Sequence, residues 1–315
     1  EDSLSYEDPL LGTRTLRLAL WYPSSEKSGA DVYYDGMFAS DQAILEPSVA
    51  EGVFPLAVFS HGHQGYAENS SFLMEHLASH GWVVAAPDHT GNTTFDGPDR
   101  QTEIYYQRPL DIQAVITEMQ DLPEDHRLYS HVSTGKVLGM GHSFGGYTIL
   151  ALAGASYDPE KIASCTENPE GGFCSTMDEE KAALFEAGFF EPRIGAFVAM
   201  APGDEDLFGA GLQNVQGPVL HQTATEDQPE GSEADLIWNG LKDGDDLRVI
   251  LEGGGHQSFT DYADLLEDVS LDAEEGFRIV DAYTLAWGLQ MEGETAVASV
   301  LEGSTEVSEN CTLQK

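Results

Sequence analysis

One short stretch of this chain has the composition of a nucleophile site. Gly141-His142-Ser143-Phe144-Gly145 sets a serine between glycines. Alone, a GxSxG pentapeptide is weak evidence, and its context carries the reading. An apolar run, Lys136-Val-Leu-Gly-Met140, comes directly before it, and Tyr147-Thr-Ile-Leu-Ala-Leu-Ala153 follows. A strand, a tight turn and a helix in succession hold a serine hydroxyl on a strained bend above a sheet edge. Gly141, Gly145 and Gly146 leave room for that bend and for the helix to pack close. The plainer alternative is a glycine-rich turn with an incidental serine. A dinucleotide fingerprint fits less well: Gly139 and Gly141 lack a third glycine three residues on, and no phosphate-loop lysine follows.

A serine hydroxyl needs a base within hydrogen-bond reach. Of ten histidines, His221 and His256 follow Ser143. His256 lies in Gly253-Gly-Gly-His-Gln-Ser, a loop able to carry an imidazole to the sheet edge, whereas His221 sits inside an apolar run and reads as a satisfied core histidine. The acid that orients the imidazole is expected after the preceding strand, at Asp227, with Asp204 and Glu226 as alternatives. An oxyanion site needs two backbone N–H donors. Phe144 supplies one. The other is expected from Phe59-Ser-His-Gly-His63-Gln64, at His63, with Gln64 as the fallback. Gln64 and Tyr66 are further candidates for contact with substrate. His61 and His63 are too few for zinc, and His76 and His80 lack the HExxH glutamate, so no metal and no organic cofactor is implied.

These residues require elements to hold them. Thr15–Tyr22 alternates as a half-buried edge strand does, and Pro23 ends it. Residues 24–52 are polar with no strong pattern. Strands are expected at 54–60, 82–86, 136–140, 194–200, 218–223 and 247–251. A helix is expected at 70–80, capped by Ser70 or Ser71. Pro109 sits where a first-turn proline belongs, ahead of the stripe Leu110, Ile112, Val115, Ile116, Met119 and Leu122. A closing helix spans about 274–290. Residues 155–192 interrupt the rhythm and read as an inserted cap or lid, while 292–315 form an acidic tail. Apolar runs alternating with helical stretches make this α/β, a mostly parallel sheet flanked by helices within a single domain, 1–315.

Composition narrows the partners. The chain has 315 residues, 41% hydrophobic, with 55 acidic against 14 basic residues and a formal net charge of −41. Such a surface repels polyphosphate and anionic lipid, which excludes nucleic acid as a partner. No run of 18 apolar residues is present to span a membrane. The acidic excess matches proteins that work in high salt; a soluble acidic protein without that need is the bland alternative. Cys165, Cys174 and Cys311 allow one intrachain bridge, and 165–174 is favoured over three free thiols. A start at Glu1 without methionine fits a processed, secreted or periplasmic form, or a chosen boundary.

With these residues in view, the chain resembles the α/β-hydrolases. It looks like the bacterial platelet-activating-factor-acetylhydrolase-like and dienelactone-hydrolase-like group, neighbours of the cutinase-like polyester hydrolases. Leu20-Trp-Tyr-Pro23, Phe59-Ser-His-Gly62, Ala86-Pro-Asp-His-Thr-Gly-Asn-Thr93, Gly141–Gly146 and Gly253-Gly-Gly-His256 carry the likeness, over roughly residues 14–290. Dienelactone hydrolases proper use a cysteine where Ser143 stands. The mammalian acetylhydrolase places its acid near Asp204, whereas Asp227 fits the polyester-hydrolase pattern. The resemblance implies the α/β-hydrolase fold and a monomeric serine ester hydrolase acting through an acyl-enzyme on small-molecule, lipid-like or polyester esters. A lipase, thioesterase or acyltransferase on the same triad, or a non-catalytic binding module, are the alternatives.

Overall fold

The run 54–59 is apolar throughout because both faces of the strand are covered. Leu56 and Val58 belong to one buried cluster, and Ala57 and Phe59 to the other. A parallel strand between two helix layers has this pattern. The computed structural model describes residues 2–34, 38–227, 231–241 and 244–315. Its strands are β1 (Asp2–Asp8), β2 (Gly12–Trp21), β3 (Asp31–Tyr34), β4 (Phe38–Ile44), β5 (Phe54–Ser60), β6 (Val83–Pro87), β7 (Val132–His142), β8 (Ile194–Met200), β9 (Val219–Ala224), β10 (Leu247–Leu251) and β11 (Cys311–Gln314). The helices are α1 (Ser71–Ser79), α2 (Thr102–Gln120), α3 (Phe144–Leu152), α4 (Pro159–Glu167), α5 (Glu179–Ala187), α6 (Glu233–Gly240), α7 (Ala263–Leu266), α8 (Ala273–Met291) and α9 (Ala298–Leu301).

Among the described residues, nine strands form one sheet in the order β1-β2-β6-β5-β7-β8-β9-β10-β11. The six central strands, β6 to β10 in that order, run parallel, and the pairs β1–β2, β2–β6 and β10–β11 are antiparallel. Helices α2 and α3 cover one face through Ile112, Val115, Ile149 and Leu150. Helices α1 and α8 cover the other through Leu73, Leu77, Ile279 and Trp287. Register brings the carboxyl ends of the strands level: Ser60 pairs with Gly141, His142 with Met200, and Met200 with Gln222. The loops that follow them therefore meet on one edge. That edge is where an open parallel sheet offers its site.

The core strands and helices fall where the sequence puts them, and the differences have physical reasons. Thr15–Tyr22 is not at the edge, because β1 pairs alongside β2 over seven residues, Asp2↔Leu18 to Asp8↔Gly12. Residues 24–52 hold a two-stranded hairpin, β3 with β4. The tail supplies α9 and the outermost strand β11, bonded to β10. Ser70 occupies the cap position of α1, but its hydroxyl donates to the Phe259 carbonyl at 2.8 Å instead of closing the helix. Pro109 does not begin a helix; it lies inside α2. A proline there leaves the carbonyl four residues back without its helical donor. The Tyr147 hydroxyl donates to that carbonyl, Tyr105 O, at 3.0 Å. Cys165 and Cys174 are joined, and Cys311 is free. Residues 155–192 contain α4 and α5 and bury Phe173, Phe185 and Phe189 against Tyr157. No helix of the described residues is long and apolar enough to cross a membrane.

Candidate active site

Ser143 stands between the end of β7 and the start of α3 with φ 57° and ψ −119°. A non-glycine residue in that region is strained by about 1–3 kcal/mol and persists only where its surroundings over-determine it. They do so here. The Ser143 N–H donates to Met200 O at 2.8 Å, and its carbonyl accepts from Gly146 N at 2.8 Å. The flanking glycines permit the approach: a Cβ at Gly145 would lie 1.8 Å from Ser60 O, one at Gly141 2.3 Å from Gly145 O, and one at Gly146 2.7 Å from Pro202 Cβ. The bend is therefore wedged between the ends of β5 and β8.

His256 begins a 3-10 turn after β10. Its Nε2 lies 2.9 Å from Ser143 Oγ, and its Nδ1 lies 3.0 Å from Asp227 Oδ2. The loops after β9 and β10 are laced together: Glu226 N donates to Gly254 O at 2.8 Å, and Gly253 N to Thr225 Oγ1 at 2.8 Å. His142 Nε2 donates to the His256 carbonyl at 2.9 Å and fixes that loop from below. Burial alone would depress the His256 pKa. The hydrogen bond and charge of Asp227 outweigh it, Glu267 adds to them, and the pKa is raised. Glu267 is held in place by accepting from Gln257 N at 2.8 Å.

The three side chains named from the sequence thus form one string. The rivals point elsewhere. Asp204, left-handed at φ 61°, accepts from Arg100 Nη1 at 2.8 Å. Glu226 accepts from the Ser270 hydroxyl. His221 is buried as expected and stacks on Trp238, but it is not satisfied: among the described residues neither ring nitrogen has a partner.

Phe144 opens α3, so its N–H has no acceptor within the helix. The His61–Gly65 loop lies against the bend, where a Cβ on Gly62 would meet Ser143 Cβ at 3.3 Å. The His63 ring meets Phe144 edge-on with centroids 6.4 Å apart, and Asn92 Nδ2 donates to its Nδ1 at 2.9 Å. Gln64 is left-handed at φ 56°, and the Tyr66 hydroxyl is 2.7 Å from that of Tyr262. A cleft of about 350 Å³ opens beside Ser143, lined by residues that include Arg100, Phe144, Ala201, Asp204 and Glu233. Gln64, Tyr66 and Trp238 do not line it, nor does any residue of 155–192. Arg100, Arg108 and Glu267 were not singled out from the sequence. The signal for the arginines was available, since basic residues number only 14 and Arg108 lies among apolar helix positions.

The chlorophyllase family model matches residues 38–164. Chlorophyllase-1, chloroplastic, of Citrus sinensis is 30% identical over 225 residues, 69% of this chain and 59% of that protein. Chlorophyllase-2 of Arabidopsis thaliana is 32% identical over 114 residues, 36% of this chain. The chain thus spans 59% and 33% of the lengths of these two relatives. The solved structure of a ferulic acid esterase from Streptomyces cinnamoneus superimposes with a TM-score of 0.69 at 19% identity, covering 99% of this chain and 94% of the other. Strand order, serine bend and these likenesses agree, and the chain belongs to the α/β-hydrolase superfamily.

Proposed function

We propose that the chain hydrolyses carboxylic esters through an acyl-enzyme on Ser143. As Ser143 Oγ attacks the ester carbonyl, His256 Nε2 takes its proton, and Asp227 steadies the imidazolium. The N–H groups of Phe144 and His63 receive the charge that develops on the carbonyl oxygen. The C–O bond then breaks, and His256 returns the proton to the departing alcohol. Water, deprotonated by the same imidazole, releases the acid and restores the serine. The observation that carries this reading is the unbroken string Ser143–His256–Asp227, at 2.9 and 3.0 Å, on a serine held at φ 57°.

A cleft of this size suits a short acyl group. Asp204, Asp206 and Glu233 on its wall disfavour anionic esters. Burial and neighbouring carboxylates raise the pKa of Glu233. The Cys165–Cys174 bridge supports a site of action outside the reducing cytosol. The test is a hydrolysis panel of p-nitrophenyl esters of increasing chain length, with a lipid ester, a polyester film, a feruloyl ester and chlorophyll. The last two follow from the names of the similar proteins. Wild-type turnover with fluorophosphonate labelling at Ser143, both lost in Ser143→Ala, is the expected result. Undiminished turnover by Ser143→Ala would refute the proposal.

A further inference from the structure

The loop that brings His63 to the site is gripped from below by one buried arginine. Carbonyl and N–H of a trans peptide point in opposite directions. Whatever holds the Gly62 carbonyl therefore aims the His63 N–H. Arg108, on α2 and wholly buried, donates from Nη2 to Gly62 O at 2.9 Å and from Nη1 to His61 O. Its Nε and Nη2 donate to Asn92 Oδ1 at 3.0 and 2.9 Å. Its Cζ lies 4.5 Å from the centre of the Phe144 ring. One guanidinium thus holds the carbonyl of the Gly62–His63 peptide and lies over the Phe144 ring.

The surrounding protons are fixed. His89 N donates to His61 Nε2 at 3.0 Å, so the His61 proton sits on Nδ1, which donates to the same Gly62 O at 2.7 Å. Below lies a second serine–histidine–aspartate string. His89 Nδ1 donates to Asp111 Oδ2 at 2.8 Å, and Ser60 Oγ donates to His89 Nε2 at 2.9 Å. All three are sealed from solvent, which rules out access by an ester. The string instead orients Ser60 to accept from Arg108 Nη1 at 3.2 Å. Every hydrogen-bond acceptor of Arg108 is neutral. A buried cation without a bonded carboxylate is unfavourable to fold around, and its fork geometry suits it to holding several carbonyls at once.

We infer that Arg108 is a positioning residue of the oxyanion site. It locks the 61–63 peptide planes so that the His63 N–H faces the ester oxygen, and by pulling on the Gly62 carbonyl it strengthens that N–H as a donor. The inference rests on the proposed role of Ser143.

Arg108→Lys keeps the charge and loses the fork. Rates are taken per active site, titrated to completion with a fluorophosphonate. The kcat on p-nitrophenyl acetate is expected to fall roughly 10- to 100-fold, short of the ~10²–10³ for deleting a donor outright. KM should move little. The inhibition constant of a trifluoromethyl ketone, whose adduct bears the same oxyanion, should rise by the factor that kcat/KM falls. The acid limb of the pH profile should stay in place, because His256 is untouched. If Arg108→Lys does not fold, His61→Gln removes the other side-chain donor to Gly62 O and should give the same split at about 3- to 10-fold. Unchanged kcat and ketone affinity in the folded variant overturn the inference, as does a loss confined to KM. A wild-type chain that turns over no ester would sink the catalytic reading and this one together; an active wild type with indifferent variants sinks this one alone.

Discussion

Asp227→Asn separates an orienting acid from a surface carboxylate. Asp227 Oδ2 is 3.0 Å from His256 Nδ1. When the imidazole becomes a cation in the transition state, an opposite charge at that distance is worth about 5 kcal/mol at an effective dielectric of 20. That corresponds to roughly four decades of rate at ~1.4 kcal/mol each. The amide keeps the shape but removes the charge, and it can present an N–H to Nδ1, which favours the wrong tautomer. The comparable substitution in a serine protease lowers kcat about 10⁴-fold, the same size. The assay is kcat on p-nitrophenyl acetate per titrated serine, with melting temperature as the check on folding. Asp204→Asn weakens the pair with Arg100 and the contact with Tyr105, and Glu226→Gln the contact with Ser270; neither touches His256, so both should lose far less. An Asp227→Asn enzyme retaining more than about one thirtieth of wild-type kcat, or an Asp204→Asn enzyme more damaged than it, would refute the assignment.

Further outcomes follow from the same geometry. His256 must be neutral to act as a base; because its pKa is raised above 6.5, the acid limb of kcat/KM should inflect above that pH. Glu267→Gln removes a charge that favours the imidazolium and should move the limb to lower pH; an upward shift contradicts the cause given. Gly145→Ala places a carbon 1.8 Å from Ser60 O, so it should lower the melting temperature and kcat together, at an overpacking cost of about 1–3 kcal/mol or more. Replacing Cys165 and Cys174 by serine opens a loop of sequence separation 9 and should cost about 2–3 kcal/mol in urea unfolding. With a net charge of −41, the melting temperature should rise as NaCl shortens the screening length from ~30 Å at 0.01 M to ~3 Å at 1 M; a flat response would end the salt-adapted reading.

The serine bend was legible because its constraints are local. Gly141, Gly145 and Gly146 are close in sequence to the serine they make room for. His256 was legible from chain order and from the glycines before it. Asp227 could only be favoured over Glu226, because two adjacent carboxylates look alike until a long-range bond, Glu226 N to Gly254 O, turns the loop. The start of α2 was misread for a similar reason: the donor that makes Pro109 tolerable arrives from Tyr147, on the next helix. Strands β1 and β11 do alternate in burial, but too few apolar residues mark the inner face, Leu4 and Tyr6 in one and Cys311 and Leu313 in the other, to stand out in the sequence. Pairing with a neighbour defines an outer strand, and its own side chains say little about it.

The charge balance gives the buried arginines their weight. Against 55 acidic residues the chain has 14 basic ones, and at least three of those, Arg14, Arg108 and Arg248, lie inside. Buried acids, Asp8, Asp111, Glu191 and Asp246, offset them, so the outer surface stays strongly negative. Arg14 holds Asp111, which holds His89, which holds Ser60 beneath the loop of Arg108. Dissolved salt screens charges on the surface and reaches dry ones weakly. Added salt should therefore act on the folding equilibrium through the acidic exterior and leave the bend at Ser143 alone, because Arg108 beneath it is sealed from solvent; Arg100, on the cleft wall and partly exposed, is the cation that salt reaches.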